Sequence, residues 1–240
     1  MARLPRLVLP GLAHYVVLRG HNGGRVITDT ADRDAFLNAL RDAMTGIEIA
    51  VHAIALLDTE VHLLLRPHTA DAVARVVQTL GRRYVGWFNQ RHQRRGTLWD
   101  GRYRAAVVEP GDRCLFALCR VVQLAMQADA SAEPLADASS PRSHLLVTAP
   151  PELWALGNTP FEREAAYREV LAQALSPALL VALDAAVRGG RVFGTAAYVQ
   201  TLARDLQRPL VAAKPGRPMR RAPADDLPLS PARSPRRTKP

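Results

Sequence analysis

Lysine is nearly absent from this chain. Of its 32 basic residues only Lys214 and Lys239 are lysine, and the rest are arginine. Alongside abundant alanine, that bias fits a GC-rich genome as well as selection for phosphate contacts. Cysteine is equally scarce. Cys114 and Cys119 sit five positions apart on one expected helix, which separates their Cα atoms by roughly 8–9 Å and aims them differently, so no disulfide joins them. With no other thiol, the composition fits a reducing cytoplasm. Aromatic residues make up 5%. No window holds the roughly 18 uninterrupted apolar residues of a membrane span, so no membrane partner is expected. The opening "MARLPRLVLPGLAHYVVLRG" is broken by prolines and arginines and does not read as a signal peptide.

What is present is a chain of 240 residues with 48% apolar content, enough for one sizeable core and appendages. The net charge of +10 favours a polyanionic partner, usually nucleic acid. More than half of that charge lies in the last thirty or so residues. This Pro/Arg-rich tail, 209–240, has no apolar periodicity and is expected to be disordered. It could trail along phosphates or simply keep the protein soluble.

The first 130 residues alternate strand and helix. "AHYVVLRG" reads as a strand. "ADRDAFLNALRDAMTG" reads as a helix ended by Gly46, with Phe36, Leu37, Leu40 and Met44 on one face. "IEIAVHAIALLD" and "EVHLLLRP" read as a hairpin turning at Asp58–Thr59. A long helix over 69–92 is capped by Thr69, a strand follows in "YRAAVVE", and a third helix covers 112–128. The pattern predicts an α+β fold: a ferredoxin-like antiparallel sheet with packed helices over 1–150. Residues 151–208 read as a wholly helical accessory region. It starts at a capping box of Thr159 and Glu162 with Pro160 between, and repeats the device at Ser176–Pro177.

One stretch carries chemistry. In "TEVHLLL" a strand places Glu60 and His62 on the same face. A carboxylate and an imidazole so placed can share one divalent metal ion, though an ordinary strand with a half-buried histidine has the same pattern.

The segments "RLPRLVLPG", "VHLLL", "GRRYVGWFNQRHQRRGTLWDGRY" and the later "SSPRSH" occur in an order that resembles the REP-associated tyrosine transposases, HUH single-strand DNA transposases with an insertion-sequence-200-like domain. The resemblance spans about residues 1 to 205. It implies a His-hydrophobic-His strand binding Mg or Mn, a helical tyrosine that attacks DNA, and an asparagine or glutamine four residues later that completes the metal site. Here the triplet is Glu60-Val61-His62, the tyrosine position is Val121, the amide position is Ala125 and the following proline is Met126. The catalytic motifs are therefore degenerate. Glu60 and His62 are expected to hold metal weakly or not at all. Tyr84 and Tyr103 are the chemical candidates for a relocated nucleophile, while Tyr15, Tyr167 and Tyr198 are expected to lie too far from the Glu60–His62 strand.

The resemblance also implies recognition of short DNA hairpins with a single-stranded flank. Arginine and aromatic residues interleave over Arg82, Arg83, Arg91, Arg94, Arg95, Trp99, Arg102, Tyr103 and Arg104, a composition suited to phosphate contact and base stacking. A core role for Trp87, Phe88 and Trp99 stands beside that reading. The expected function is thus a transposase-like, DNA-binding pseudoenzyme, with an active metal-dependent nuclease using a relocated tyrosine or metal-bound water as the alternative. A helix-turn-helix-like unit over 176–189 and 195–206 is a third reading, weakened by the long connection "GGRVFG".

Overall fold

The computed structural model describes residues 6–128 and 146–210. The "SSPRSH" segment and nearly all of the expected disordered tail lie outside these residues. In chain order the elements are β1 (Ala13–Arg19), α1 (Thr30–Met44), β2 (Ile49–Leu56), β3 (Glu60–Pro67), α2 (Ala72–Arg91), β4 (Arg104–Val108), α3 (Asp112–Ala128), the short α4 (Pro151–Trp154), α5 (Pro160–Ala172), α6 (Pro177–Gly189), β5 (Val192–Phe193) and α7 (Ala196–Asp205). The sheet order is β2-β3-β1-β4-β5, antiparallel except for the β4–β5 pair. Strands one to four reproduce the βαββαβ ferredoxin-like order expected from the pattern. β5 was not expected: two residues inside a helical region are too short for a period-2 signal, and only their pairing with β4 makes them a strand.

The sheet buries both faces because its strands are apolar at nearly every position. One face (Val16, Leu18, Val61, Leu63, Leu65) packs against Phe36 and Leu40 of α1 and against Val73, Val76, Leu80, Tyr84 and Phe88 of α2. The other (Ala13, Tyr15, Val17, Leu64, Ala106, Val108) packs against Leu118, Val121 and Val122 of α3 and against Leu183 and Val187 of α6. A bulge in β2 reconciles that strand with both faces. Val51 pairs with Leu65 and Ala53 with Leu64, so His52 is the extra residue. The insertion switches parity, putting Val51 in the first core and Ala53 and Ala55 in the second.

Local signals mostly act as their chemistry dictates. The Thr159–Glu162 capping box forms in full at the start of α5. Two caps differ from expectation. α2 begins at Ala72 with Asp71 before it, and Thr69 instead donates its hydroxyl to Asp71. Ser176 precedes α6 without a side-chain capping bond, and Pro177 occupies the first turn. Leu210 is buried in a third small cluster with Val107 and Val192, so the chain stays packed one residue beyond the expected start of the tail. Among the described residues no single helix is long and apolar enough to cross a membrane.

Segment 146–154 is tied to the sheet by a buried ion pair. Arg66 reaches both Glu152 oxygens at 2.8 and 2.9 Å and also donates to His52 Nε2, whose Nδ1 meets the Thr148 carbonyl. Charges this far from water persist only when paired and hydrogen-bonded on several sides.

Candidate functional site

Register alone assembles the floor of the site. Across three strands Arg104 pairs with Val17, and Val17 with His62. One row on, Arg19 pairs with Glu60; one row back, Tyr15 pairs with Leu64. Alternation aims Tyr15, Val17, Arg19, Glu60, His62 and Arg104 to the face covered by α3 and α6. These helices leave a cavity of about 370 Å³, whose remaining walls are Arg120 of α3 and Leu180, Val181, Leu183, Asp184, Val187 and Arg188 of α6.

Within it, the Tyr15 hydroxyl lies 3.0 Å from His62 Nδ1. The other ring nitrogen, Nε2, is 3.1 Å from Glu60 Oε1, and Arg19 Nε donates to Glu60 Oε2 at 3.0 Å. The Nε2–Glu60 contact is an ion-pair approach that falls short of hydrogen-bond geometry; the residue is 8% exposed. The His62 ring first, then Arg19, holds the Glu60 carboxyl below its usual range against the opposing effect of burial. Burial pushes the Tyr15 phenol well above its ordinary value, although the charge of Arg120 favours the phenolate.

This placement corrects one expectation. Tyr15 is not remote from the Glu60–His62 strand; it touches His62. The sequence showed β1 as a strand but not that β1 would lie beside β3 in this register. Val121 is fully buried on the same side of the sheet, among Tyr15, Val17 and Leu64, and Ala125 packs half-buried against that cluster. Neither lines the cavity. The α3 side chain that does is Arg120, one residue before Val121.

The arginine stretch is divided. α2 lies on the opposite face of the sheet, so Arg82, Arg83 and Arg91 stand away from the cavity. Arg83 is paired with Asp42, and Arg91 grips Asp29 and the buried Asp32. For Asp32, burial works to raise the carboxyl pKa, but bonds from Thr28, His92 and Arg91 outweigh it and lower it. Arg94 lies over the Phe88 ring, and Tyr103 lies under Arg6 with centroid distance 4.1 Å. Trp99 packs half-buried against the first core and bridges Gly20, where any Cβ would meet the Gly24 carbonyl oxygen at 2.0 Å. Tyr84 is fully buried and donates to the Val26 carbonyl. Arg82, Arg95 and Arg102 carry no ion pair among the described residues. Arg104 alone of the stretch enters the cavity.

Residues 11–113 match the family model described as "Transposase IS200 like". Over this segment, less than half of the chain, the protein is similar to the IS200-like transposases. Two solved structures resemble the chain more loosely. A REP-associated tyrosine transposase bound to a REP hairpin shares 10% identity at a TM-score of 0.43, over 51% of this chain and 71% of that one. A candidate transposase from Deinococcus radiodurans R1 shares 24% at 0.35, over 45% and 88%. A comparison with curated proteins finds no match.

Transposases of this family imply a divalent metal, and the cavity tests that implication. Glu60 Oε1 and His62 Nε2 are close enough to share one cation. However, no group of three or more His, Cys, Asp or Glu that could hold a metal occurs among the described residues. Glu60 is already engaged by Arg19, and four guanidinium groups face the space against two carboxylates. Mg or Mn prefers six oxygen-rich ligands and is repelled by such a lining. The donor set does not fit the ion.

Proposed function

We propose that this protein binds structured single-stranded DNA through its IS200-like domain and does not cut it by the tyrosine–metal route. The observation carrying the reading is Val121: the position that the resemblance gives to the nucleophile holds a fully buried hydrocarbon side chain. Valine has no atom that can attack phosphorus, and Ala125 has none to bind metal. DNA as the partner is supported by the family of residues 11–113, by the net charge of +10 and by the exposed arginines Arg82, Arg94, Arg95 and Arg102. The test is a labelled hairpin with a single-stranded flank, offered with Mg²⁺ or Mn²⁺. The expected result is a salt-dependent gel shift under native conditions and no labelled protein after denaturation. Equal affinity for hairpin and random single strands would reduce the reading to generic charge.

A second reading has one specific observation behind it. Tyr15 sits on His62, with Glu60 beyond, in the order nucleophile, base and orienting carboxylate. A covalent adduct formed by the unmodified chain and lost in Tyr15→Phe would establish it. The 3% exposure of Tyr15 and its raised pKa weigh against it, because an attacking oxygen must reach phosphorus and shed a proton.

A further inference from the structure

Four arginines converge on the cavity above Glu60 and His62 from four different elements: Arg19 from β1, Arg104 from β4, Arg120 from α3 and Arg188 from α6. Opposing them are Glu60 and Asp184. Arg19 meets Glu60 through Nε, and Arg188 is paired with Asp184. Among the described residues Arg104 pairs with Asp100, at a loose 3.9 Å. Arg120 lies beside the Tyr15 phenol, on which its charge acts, and makes no ion pair among the described residues. Among the described residues, most of the guanidinium N–H groups facing the cavity therefore have no anionic acceptor there.

His62 points to the same missing partner. With Tyr15 donating to Nδ1, the ring hydrogen lies on Nε2, which is buried and has the Glu60 carboxylate 3.1 Å away but off the line of a hydrogen bond. A buried donor whose nearest acceptor is poorly aligned is under-satisfied, and an oxyanion in the cavity would complete its bonding.

We propose that this cavity is a metal-free phosphate site, in which Arg104, Arg120 and the free edge of Arg19 grip the oxyanion and His62 Nε2–H donates to it. Guanidinium groups take the place of a divalent cation: they supply positive charge and directional donors to phosphate oxygens without needing carboxylate ligands. The inference rests on the DNA-binding reading for its biological source of phosphate, but the site itself is tested without hairpin DNA. Two sources share the chemistry: the phosphodiester of a strand and the phosphomonoester at a strand end.

The experiment uses the full chain in EDTA. Inorganic phosphate is the first probe, with binding followed by the His62 ring signals in NMR and by thermal shift. Phosphate should perturb His62 and stabilise the protein. Arg120→Gln and Arg104→Gln should each weaken the effect about tenfold, the loss expected for a charge-assisted bond. Arg168→Gln, on α5 and paired with Glu164, serves as the control and should change nothing. Circular dichroism establishes that each variant is folded; Arg104, at the cavity rim, keeps the test decisive if Arg120→Gln is not. Two thymidine dinucleotides then separate the sources. Competition only by the 5′-phosphorylated form assigns a strand end, and competition by the unphosphorylated form as well assigns a diester. Phosphate binding that requires Mn²⁺, that is unchanged in both variants, or that is competed by neither dinucleotide would overturn the proposal. Failure to bind hairpin DNA with the phosphate response intact would remove the DNA reading and leave the site standing.

Discussion

The Tyr15 hydroxyl and His62 Nδ1 are 3.0 Å apart, on adjacent antiparallel strands and diagonal to one another in the register. That contact fixes the imidazole and determines which nitrogen faces the cavity. Removing the hydroxyl with Tyr15→Phe leaves a buried ring nitrogen unpaired. The expected cost is about 1–3 kcal/mol in urea denaturation, since the lost bond also exposes the desolvation penalty of its partner. A variant as stable as the parent would mean that His62 reorients freely.

Breaking the Arg66–Glu152 pair should cost more. The Glu152 side chain is 8% exposed and that of Arg66 14%, so Glu152→Ala strands a guanidinium away from water. The expected loss is about 3–5 kcal/mol, read as a shift in the denaturation midpoint. Replacing both partners with apolar residues (Arg66→Met, Glu152→Leu) should recover much of it. Recovery would identify the stranded charge as the cause; no recovery would assign the loss to the bonds to His52 and Gly11 instead.

Stability should also fall on mild acidification. His14 is fully buried, accepts from the Leu9 N–H and meets the Leu12 carbonyl through its other nitrogen. Burial is the main cause that brings its pKa from 6.5 down to about 4, with the Leu12 bond opposing. Between those values the unfolded chain takes up a proton that the fold refuses. The contribution is complete above pH 6.5 and is lost as pH falls towards 4, by about 3 kcal/mol in all. His52, also lowered chiefly by burial, acts in the same sense. Melting temperatures measured from pH 7.5 to 5 should decline in the parent and decline less in His14→Gln.

The order of elements in the first 130 residues was legible because each announces itself locally. α1 repeats apolar residues at helical spacing, β3 is a short apolar run, and Gly46, at φ 71°, ends α1 where an αL residue is needed. Glu60 and His62 were legible as a same-face pair for the same reason. What was not legible depended on pairing between distant segments. Tyr15 reaches His62 only because β1 lies between β3 and β4. Arg120 enters the cavity, and Val121 does not, because of how α3 is rotated about its axis, which its single broad apolar face leaves open. The ion pairs of Arg83 and Arg91 depend on α1 packing beside α2. The arginine run reads as one cluster in sequence and is divided by the sheet in space.

Rebuilding the family's nucleophile at its expected position should fail, for a reason the packing supplies. Val121 is 0% exposed and lies in the core between α3 and the sheet. Tyrosine there adds an aromatic ring to a close-packed interior and buries a hydroxyl with no partner provided. Val121→Tyr is expected to lose about 1–3 kcal/mol from overpacking alone. The triple change Glu60→His, Val121→Tyr, Ala125→Asn restores the residue types but leaves Arg19, Arg104, Arg120 and Arg188 around the space where a cation would have to sit. No covalent adduct with hairpin DNA is expected from it in Mn²⁺. Arg120→Tyr, by contrast, puts a phenol on the cavity wall and removes one of the opposing charges. If either tyrosine variant forms an adduct in the Glu60→His, Ala125→Asn background, it should be Arg120→Tyr. An adduct from the Val121→Tyr chain at unchanged stability would show that α3 can turn to present position 121 to the cavity, and would restore the family's positional correspondence for this helix.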